Sequence, residues 1–585
     1  MKIVNILLLL ATFLSAHAVS ITRFPANNAR NINPDTHLVL TFPEQPVLGT
    51  SGKICIYDAS DNRLVDMLDL SIPPGKTVGT KGPASPDSPV PYEYKSGHFT
   101  NVNTKPGTPS GVALPTTTEY QLTIIGGFTD GFHFFPVIIH GNTATIYPHN
   151  NLLEYNKTYY VEIDPTVFAL TNGGFSGIKG KNGWPFTTKK TPPPINAAQL
   201  VVSADGKGDF NTVQGALDFI PDKNPKRVTV FVKKGKYEEI VYFRNKSNIT
   251  ILGEDKEKTV VFYPNNEVLN PHPSNVGTNE LPGTFPSRRA AFSVDNCQGI
   301  HLVNLTIKTT VKGQAEGLLL TGDKNIVDNV IIVGSGDALQ VNGTAYFINS
   351  QIIGDGDTVL GRGAAFFDHC RFDSQSIFMW IRNTSANHGN VCVNCIFNAT
   401  GKQETEIARA PNNRGKSYPN AEAVLINCAL SGISPIGWGT IGDSTNIHYW
   451  EYNSTRLSDG KPIDVSKRRP ASRQLTMEKD ADIITHYSNP AYVLNGWIPA
   501  MKPIILSQPA STVAKTGENV TFGAKATAVP EAKYQWFKNG KIIAGATNAN
   551  LILKNISLHD AASYTVTAKN SSGSAISKAA TLNIK

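Results

Sequence analysis

Two aspartates in neighbouring glycine-rich turns are the residues of this sequence best suited to chemistry. Asp337 lies in Gly-Ser-Gly-Asp-Ala-Leu, and Asp357 lies in Gly-Asp-Gly-Asp-Thr-Val-Leu-Gly. A short apolar run that predicts a strand precedes each turn. If these strand–turn units stack as coils of a parallel β-helix, the two carboxylates lie on adjacent rungs, about 4.8 Å apart. Two acids at that distance can act together on one small substrate group.

The elements that would position these acids recur along residues 198–499. The intervals between the repeats are about 20 to 33 residues, which is typical of a β-solenoid whose loops vary in length. Residues 209–221 have apolar positions at helical spacing and end at a proline, which predicts a helix that caps the first coil. A polar residue followed by an apolar strand marks the repeats at Asn304, Asn329, Asn349, His369, Asn394 and Asn427.

Two further domains are predicted on either side of the solenoid. Residues 19–190 alternate short strands with Pro, Asn and Gly turns, which indicates an Ig-like β-sandwich. A proline-rich linker follows at residues 191–197. In residues 503–585, Trp536 and Tyr564 have the spacing of strand C and the tyrosine corner of an immunoglobulin-like domain. The sequence therefore predicts an all-β chain of three domains.

Composition and charge narrow the possible partners. The 585 residues are 40% hydrophobic and 17% charged, and the net charge of +8 predicts mild attraction to a polyanion. The basic residues are dispersed, without the interleaved aromatics of a nucleic-acid site, so we expect no nucleic acid as partner. Met1–Ala18 has the features of a cleavable signal peptide, which predicts a secreted or periplasmic protein. No later segment is long and apolar enough to span a membrane, and we expect a monomer.

The six cysteines predict structure rather than metal binding. Cys392 and Cys395 form a C-x-x-C, but no second pair completes a zinc site. Cys370, Cys395 and Cys428 recur at the same place in successive repeats. We therefore predict a stacked ladder of thiols inside the solenoid, with no metal site.

Several motifs in one order make residues 198–499 resemble the pectin methylesterases, which are carbohydrate esterases with a right-handed parallel β-helix. Gly-Gln-Ala-Glu-Gly-Leu places Gln314 at the oxyanion glutamine of that family. Gly-Ser-Gly-Asp-Ala-Leu is similar to its G-Y-Q-D-T-L and places Asp337 at the general acid/base. Gly-Asp-Gly-Asp-Thr-Val-Leu-Gly is similar to its G-T-V-D-F-I-F-G and places Asp357 at the nucleophile. Ala-Arg-Ala-Pro is similar to its G-R-P-W and places Arg409 beside the nucleophile.

The resemblance implies a secreted ester hydrolase that removes methyl groups from homogalacturonan (pectin) without a cofactor or metal. Asp357 would attack the ester carbonyl, and Arg409 would keep it ionised and aligned. Asp337 would donate a proton to the departing methanol and then activate water, because two close acids titrate at different pH. Gln314 would donate a hydrogen bond to the oxyanion.

Two positions depart from the family pattern. Gly336 stands where the family has a second oxyanion glutamine, so that a backbone N–H or a water would have to replace it. Pro411 stands where the family has a tryptophan that forms one wall of the sugar site. Trp380 and Tyr418 are therefore our candidate replacements, and Trp438, in an Ile-Gly-Trp motif that recurs in the family, is a further candidate for substrate binding.

Two alternatives stay open at this point. A polysaccharide lyase of the same fold would need Ca²⁺ held by clustered acids, for which the Gly-Asp-Gly-Asp run could supply ligands. A non-catalytic adhesin would use the solenoid as a glycan-binding face and the two sandwiches as spacers. The less specific interpretation of Asp337 and Asp357 is that each is an ordinary turn residue.

Overall fold

The structure is a computed structural model of a chain that is almost entirely β-sheet. It describes residues 21–74, 121–126, 132–270, 288–413 and 416–585. The predicted signal peptide, Met1–Ala18, lies outside these ranges. Within them, no helix combines the length and the apolar character that a bilayer crossing requires.

The predicted parallel β-helix is confirmed by three sheets that run side by side along the stack, with all neighbouring strands parallel. The eleven-stranded sheet contains Gln199–Val202, Val228–Val232, Ile249–Gly253, His301–Val303, Asn325–Asp328, Thr344–Ile348, Ala364–Asp368, Asn390–Val393, Glu422–Ile426, His448–Tyr452 and Arg473–Gln474. The nine-stranded sheet contains Gly235–Glu238, Thr259–Tyr263, Thr306–Thr309, Ile331–Val333, Gln351–Gly354, Arg371–Ser374, Ile396–Ala399, Ala429–Ser431 and Thr455–Arg456. The six-stranded sheet contains Val241–Arg244, Phe292–Gln298, Leu318–Asp323, Leu339–Val341, Val359–Gly361 and Met379–Ile381.

The recurring polar residue of the repeats forms the corner between the eleven-stranded and the nine-stranded sheet. Each such residue has a left-handed backbone, with φ between 50° and 60°, which asparagine tolerates better than most residues. The side chains also pair along the stack, since Asn329 Nδ2 donates to Asn304 Oδ1 at 2.8 Å. The corner residues are Asn304, Asn329, Asn349, His369, Asn394, Asn427 and Asn453.

The interior of the stack consists of side chains in register from coil to coil. The predicted thiol ladder is confirmed: strand register places Cys370, Cys395 and Cys428 on consecutive coils, and all three are buried and free. Aromatic rings stack in the same way, with 4.6 Å between the ring centroids of Phe347 and Phe367. The helix Val213–Phe219 closes the first coil, as the sequence predicted.

We expect Phe367→Ala to lower the free energy of unfolding of the β-helix by about 3–5 kcal/mol, because it removes a stacked ring from a close-packed interior. Phe367 is 0% exposed. Chemical denaturation measures this loss. The matched control is Ile552→Ala on the C-terminal domain, where the side chain is 58% exposed and the expected change is within about 0.5 kcal/mol. Equal effects of the two substitutions would contradict the stacked interior.

The N-terminal β-sandwich has two main sheets and shares a hydrophobic core with the β-helix. One sheet contains Thr22–Phe24, Leu38–Thr41, Thr143–Ile146 and Val137–His140. The other contains Ala29–Ile32, Pro185–Thr188, Thr158–Ile163, Lys53–Asp58 and Leu64–Asp69. Short pairs and one 3₁₀ turn complete it: Val47–Leu48 with Phe168–Ala169, Leu122–Thr123 with Phe132–His133, and Pro165–Val167. Tyr242 and Tyr263 of the β-helix lie in the core of this sandwich, exposed by only 1% and 2%.

The C-terminal part covers the outer face of the eleven-stranded sheet. The helices Met477–Tyr487 and Pro490–Val493 pack there, followed by Met501 and Val529 of the immunoglobulin-like domain. That domain contains Met501–Ser507, Thr512–Ala514, Val520–Gly523, Lys525–Val529, Lys533–Lys538, Lys541–Ile542, Asn550–Leu553, Leu558–Asp560, Ala562–Asn570, Gly573–Ile576 and Ala580–Ile584. Tyr564 donates its hydroxyl to Asp560 O at 2.9 Å, which confirms the predicted tyrosine corner. The short strands Asn412–Asn413 and Lys416–Ser417 pair antiparallel.

Candidate active site

The two aspartates occupy equivalent places on consecutive rungs of the six-stranded sheet. Asp337 lies two residues before Leu339 and Asp357 two residues before Val359, and the strands pair Leu339 with Val359. The turns are also joined through their backbones, since Asp337 N–H donates to Gly356 O at 3.0 Å. Both aspartates have left-handed backbones, with φ of +76° and +42°, a conformation that aspartate tolerates in turns. Strand register therefore places the two aspartates on adjacent coils, where the charge of Asp337 acts on Asp357.

Asp357 is held by one arginine at the edge of the site. Arg409 Nη1 lies 2.5 Å from Asp357 Oδ2, and 20% of the Asp357 side chain is exposed. Burial raises the pKa of Asp357, and the charge of Arg409 opposes the shift. The backbone of Arg409 is fixed from both sides, because its N–H donates to Met379 O at 3.0 Å and Tyr449 donates its hydroxyl to Arg409 O at 2.9 Å. A carboxylate paired in this way is favoured in its ionised form.

Asp337 is more deeply buried and faces a different arginine. Its side chain is 8% exposed, and Arg289 Nη2 lies 2.9 Å from its Oδ2. Burial raises the pKa of Asp337, and the charges of Arg289, Arg382 and Arg409 oppose the shift. The two acids thus differ in exposure and in their arginine partners, which favours different protonation states.

Gln314 lies beside the same arginine. Its Oε1 accepts a hydrogen bond from Arg289 Nη1, and its backbone oxygen accepts from Glu267 N–H at 3.0 Å. Because the amide oxygen is occupied, the Nε2 group of Gln314 is the end of the amide left to donate to a substrate oxygen. Gln314 is exposed to solvent.

The backbone N–H of Gly336 does not replace the second oxyanion glutamine of the family, because it is bound elsewhere. Gly336 N–H donates to Asp355 Oδ1, and Ser335 donates its hydroxyl to Asp355 Oδ2 at 2.8 Å. Lys312 Nζ lies 3.2 Å from the same carboxylate. Asp355 therefore stabilises the Gly-Ser-Gly turn that presents Asp337, and the backbone N–H of Gly336 is already engaged.

Trp380 and Tyr418 lie at the site, where they contact arginines. The guanidinium carbons of Arg382 and Arg409 are 4.6 and 4.8 Å from the centre of the Trp380 ring. Tyr418 meets Trp380 edge to face at 6.1 Å, and Arg362 lies 5.3 Å from its ring centre. Trp380 is partly exposed and Tyr418 is 6% exposed. Trp380 thus aligns the guanidinium of Arg409 by cation–π attraction, and its role in binding substrate stays a prediction.

The prediction that Trp438 binds substrate is wrong. The side chain is 0% exposed, and its ring stacks on Tyr449 with 5.1 Å between the ring centroids. A fully buried ring presents no face to a sugar. Trp438 therefore acts through packing, since it supports Tyr449, the residue that holds the backbone of Arg409.

Sequence reasoning missed four charged residues that adjoin the predicted site. Arg289 contacts both Asp337 and Gln314, and Arg382 interacts electrostatically with both aspartates. Glu316 and Glu267 flank Arg289. One signal was available for Glu316: it lies two residues before Leu318, the same offset from a strand as the two aspartates.

A lyase would need Ca²⁺, so the grouping of possible metal ligands in the described residues matters here. In those parts of the chain, His, Cys, Asp and Glu side chains form no group of three or more that could hold a metal ion. The Gly-Asp-Gly-Asp run itself is engaged elsewhere, because Asp355 holds the turn and Asp357 pairs with Arg409.

Two regions of the chain match models of known protein families. The family model described as Pectinesterase matches residues 199–487, and the one described as Immunoglobulin domain matches residues 502–570. A pectin methylesterase from carrot is a structural neighbour with a TM-score of 0.42 and 21% identity, covering 51% of this chain and 93% of that one.

Two sequence relatives show how far the similarity extends. Probable pectinesterase 30 of Arabidopsis thaliana is 25% identical over 332 residues, which cover 54% of this chain and 63% of that protein. The chain thus spans about three-fifths of the length of this relative. A pectinesterase of Ralstonia solanacearum is 30% identical over 322 residues, which cover 45% of this chain and 80% of that protein. With a matching family model over its β-helix and a relative covered over most of its length, the chain belongs to the pectinesterase family.

Proposed function

We propose that this protein is a pectin methylesterase, which hydrolyses the methyl esters of homogalacturonan to methanol and de-esterified pectate. The observation that carries the proposal is the pair of acids on adjacent rungs, one ion-paired with Arg409 and the other buried beside it. Membership of the pectinesterase family supports the same chemistry. The predicted signal peptide, Met1–Ala18, supports export to the periplasm or the medium, where such a polymer would be met.

In the first half of the proposed reaction, an oxygen of ionised Asp357 attacks the ester carbonyl carbon. The tetrahedral intermediate places a negative charge on the former carbonyl oxygen, which the Nε2 group of Gln314 stabilises by donating a hydrogen bond. The bond to the methoxy oxygen then breaks. Protonated Asp337 gives its proton to that oxygen, so methanol leaves and an anhydride joins Asp357 to the uronate.

In the second half, Asp337 is ionised and removes a proton from water. The resulting hydroxide attacks the uronate carbonyl of the anhydride, and the bond to Asp357 breaks. Asp357 returns to its ionised form, held by Arg409, and Asp337 is protonated again. The product is a free uronic acid group on the polymer, and each residue ends the cycle in its starting state.

We expect the rate of methanol release to follow a bell-shaped pH profile. As the pH falls, Asp357 takes up a proton and ceases to be a nucleophile. As the pH rises, Asp337 loses the proton that it must give to the departing methoxy oxygen. Since burial raises the pKa of both Asp337 and Asp357, both limbs lie at higher pH than for free aspartates, and they report apparent values of the coupled pair. Initial rates on soluble pectin measure the profile. A rate that stays constant into alkaline solution would contradict the acid role of Asp337.

One incubation separates this function from its two alternatives. The purified protein is mixed with methyl-esterified homogalacturonan, with Ca²⁺ or with a chelator, and methanol, unsaturated uronides and bound polymer are measured. An esterase releases methanol under both conditions. A lyase releases unsaturated uronides only with Ca²⁺, and an adhesin retains polymer without forming either product. Either of the last two results would overturn the proposal.

A further inference from the structure

Glu316 is a third acid in the same column as the two aspartates. Strand register pairs Leu318 with Leu339 and Leu339 with Val359, and an acid lies two residues before each of these three positions. Glu316, Asp337 and Asp357 therefore occupy three successive rungs at one edge of the six-stranded sheet, at about 4.8 Å per rung. Glu316 is 0% exposed, and the proposed reaction assigns it no step.

Arg289 joins Glu316 to the proposed general acid, Asp337, and to the proposed oxyanion donor, Gln314. Its Nε and Nη2 each lie 2.8 Å from Glu316 Oε1. The same Nη2 lies 2.9 Å from Asp337 Oδ2, and Nη1 donates to Gln314 Oε1. The guanidinium is thus placed by a bidentate pair with Glu316 while it contacts Asp337 and Gln314, and its side chain is 8% exposed.

The charges around Asp337 show how Glu316 affects its protonation. A lone arginine at hydrogen-bond distance would favour the ionised form of Asp337. Asp337 would then have no proton to give to the departing methoxy oxygen. Glu316 offsets that charge, because its own carboxylate is bound to the same guanidinium. The other charged groups close to Asp337 belong to several elements: Asp357, Arg382, Arg409, Glu267 and the pair of Lys312 with Asp355. Four carboxyls, Glu267, Glu316, Asp337 and Asp357, thus lie close to three arginines, Arg289, Arg382 and Arg409, so a proton on one carboxyl would balance the charge of the group.

We propose that Glu316 and Arg289 are positioning residues for ester hydrolysis: Glu316 neutralises Arg289 so that Asp337 retains its proton, and Arg289 orients the Gln314 amide toward the substrate. This inference rests on the proposed function, since it concerns the acid and the oxyanion donor of that reaction. Burial raises the pKa of Glu316 and of Asp337 alike, which agrees with a proton kept within this cluster.

The test compares two variants that each break a buried arginine–glutamate pair. Glu316→Gln keeps the size of the side chain and removes its charge, so Arg289 acts on Asp337 without compensation. We expect the alkaline limb of the pH profile for methanol release to move to lower pH. The control is Glu451→Gln, which breaks the pair with Arg468, where the side chains are 1% and 3% exposed; we expect no movement of that limb.

The outcomes decide between a positioning and a merely structural role. A shifted limb in Glu316→Gln but not in Glu451→Gln supports the proposal. Equal profiles in wild type and Glu316→Gln, with only lower thermal stability, overturn it. If Glu316→Gln does not fold, Arg289→Lys tests the proposed orientation of the Gln314 amide by Arg289. Lysine keeps the positive charge but lacks the planar guanidinium that binds two partners at once. We expect about a 10-fold lower kcat with unchanged limbs, and a wild-type kcat would overturn the role of Arg289.

A measurement that needs no activity separates failure of this inference from failure of the proposed function. Infrared difference spectra between wild type and Asp337→Asn report the carboxyl stretch of protonated Asp337 as the pH is raised. In a Glu316→Gln background this band should disappear at lower pH than in the wild-type background. An unchanged band overturns the inference even in an active enzyme. A shifted band in a protein that releases no methanol supports the charge compensation of Arg289 by Glu316 and overturns the proposed reaction.

Discussion

Asp357→Asn should reduce methanol release from methyl-esterified homogalacturonan by about 10⁴-fold or more, because an amide cannot form the anhydride on which the proposed reaction depends. The substitution preserves size, and the amide oxygen can still accept a hydrogen bond from Arg409. We therefore expect the folded structure to persist, with the loss confined to kcat. Initial rates of methanol formation at the pH optimum of the wild type measure the effect.

The matched control for this variant is Asp373→Asn on the nine-stranded sheet. Asp373 also pairs with an arginine, since Arg371 Nη2 lies 2.7 Å from its Oδ1, and its side chain is 11% exposed. Loss of that carboxylate should leave the rate within about threefold, as for a substitution away from the site. Comparable losses in both variants would mean that the rate depends on stability and that Asp357 is not the nucleophile.

Asp337→Asn should lower kcat by about 10²–10⁴-fold, the usual contribution of a positioned general acid or base. Asparagine can neither protonate methanol nor remove a proton from water, while the nucleophile and the oxyanion donor are unchanged. The residual rate should also lose the alkaline limb of its pH profile, because the group that titrates there is gone. Rates measured across pH test both parts of this prediction.

Asp328→Asn is the control for a buried aspartate outside the site. Asp328 is 0% exposed and accepts a hydrogen bond from the Thr527 hydroxyl of the C-terminal domain. We expect Asp328→Asn to retain the alkaline limb and most of the rate. A rate for Asp337→Asn within about threefold of wild type, with its alkaline limb intact, would show that the proton comes from another group.

Features that repeat along the chain could be predicted from the sequence. The column Asn304, Asn329, Asn349 marks the coil corners because only a few residue types accept a left-handed backbone at low cost. The two glycine-flanked aspartates could be placed on adjacent rungs for a similar reason, since a fixed offset from each strand is preserved by parallel pairing. Local rules thus determine the fold and the position of the acids.

Features that depend on contacts between distant segments could not be predicted. Arg289 lies 48 residues before Asp337 and reaches it only through pairing of the intervening strands. The sequence left open which backbone N–H or water replaces the second oxyanion glutamine, and only the structure shows that the N–H of Gly336 is bound to Asp355. Trp438 is a candidate substrate residue by its motif, but its ring is fully buried, and burial is a tertiary property that residue type alone does not set.

The shared core of the sandwich and the β-helix has a practical consequence for truncation of this protein. Tyr242 and Tyr263 would become solvent-facing if the chain were trimmed to residues 198–499. An exposed apolar surface of that kind promotes aggregation in water. Shortening this chain therefore requires polar replacements at the exposed apolar positions first, because the N-terminal sandwich covers a surface that the β-helix cannot leave open to water.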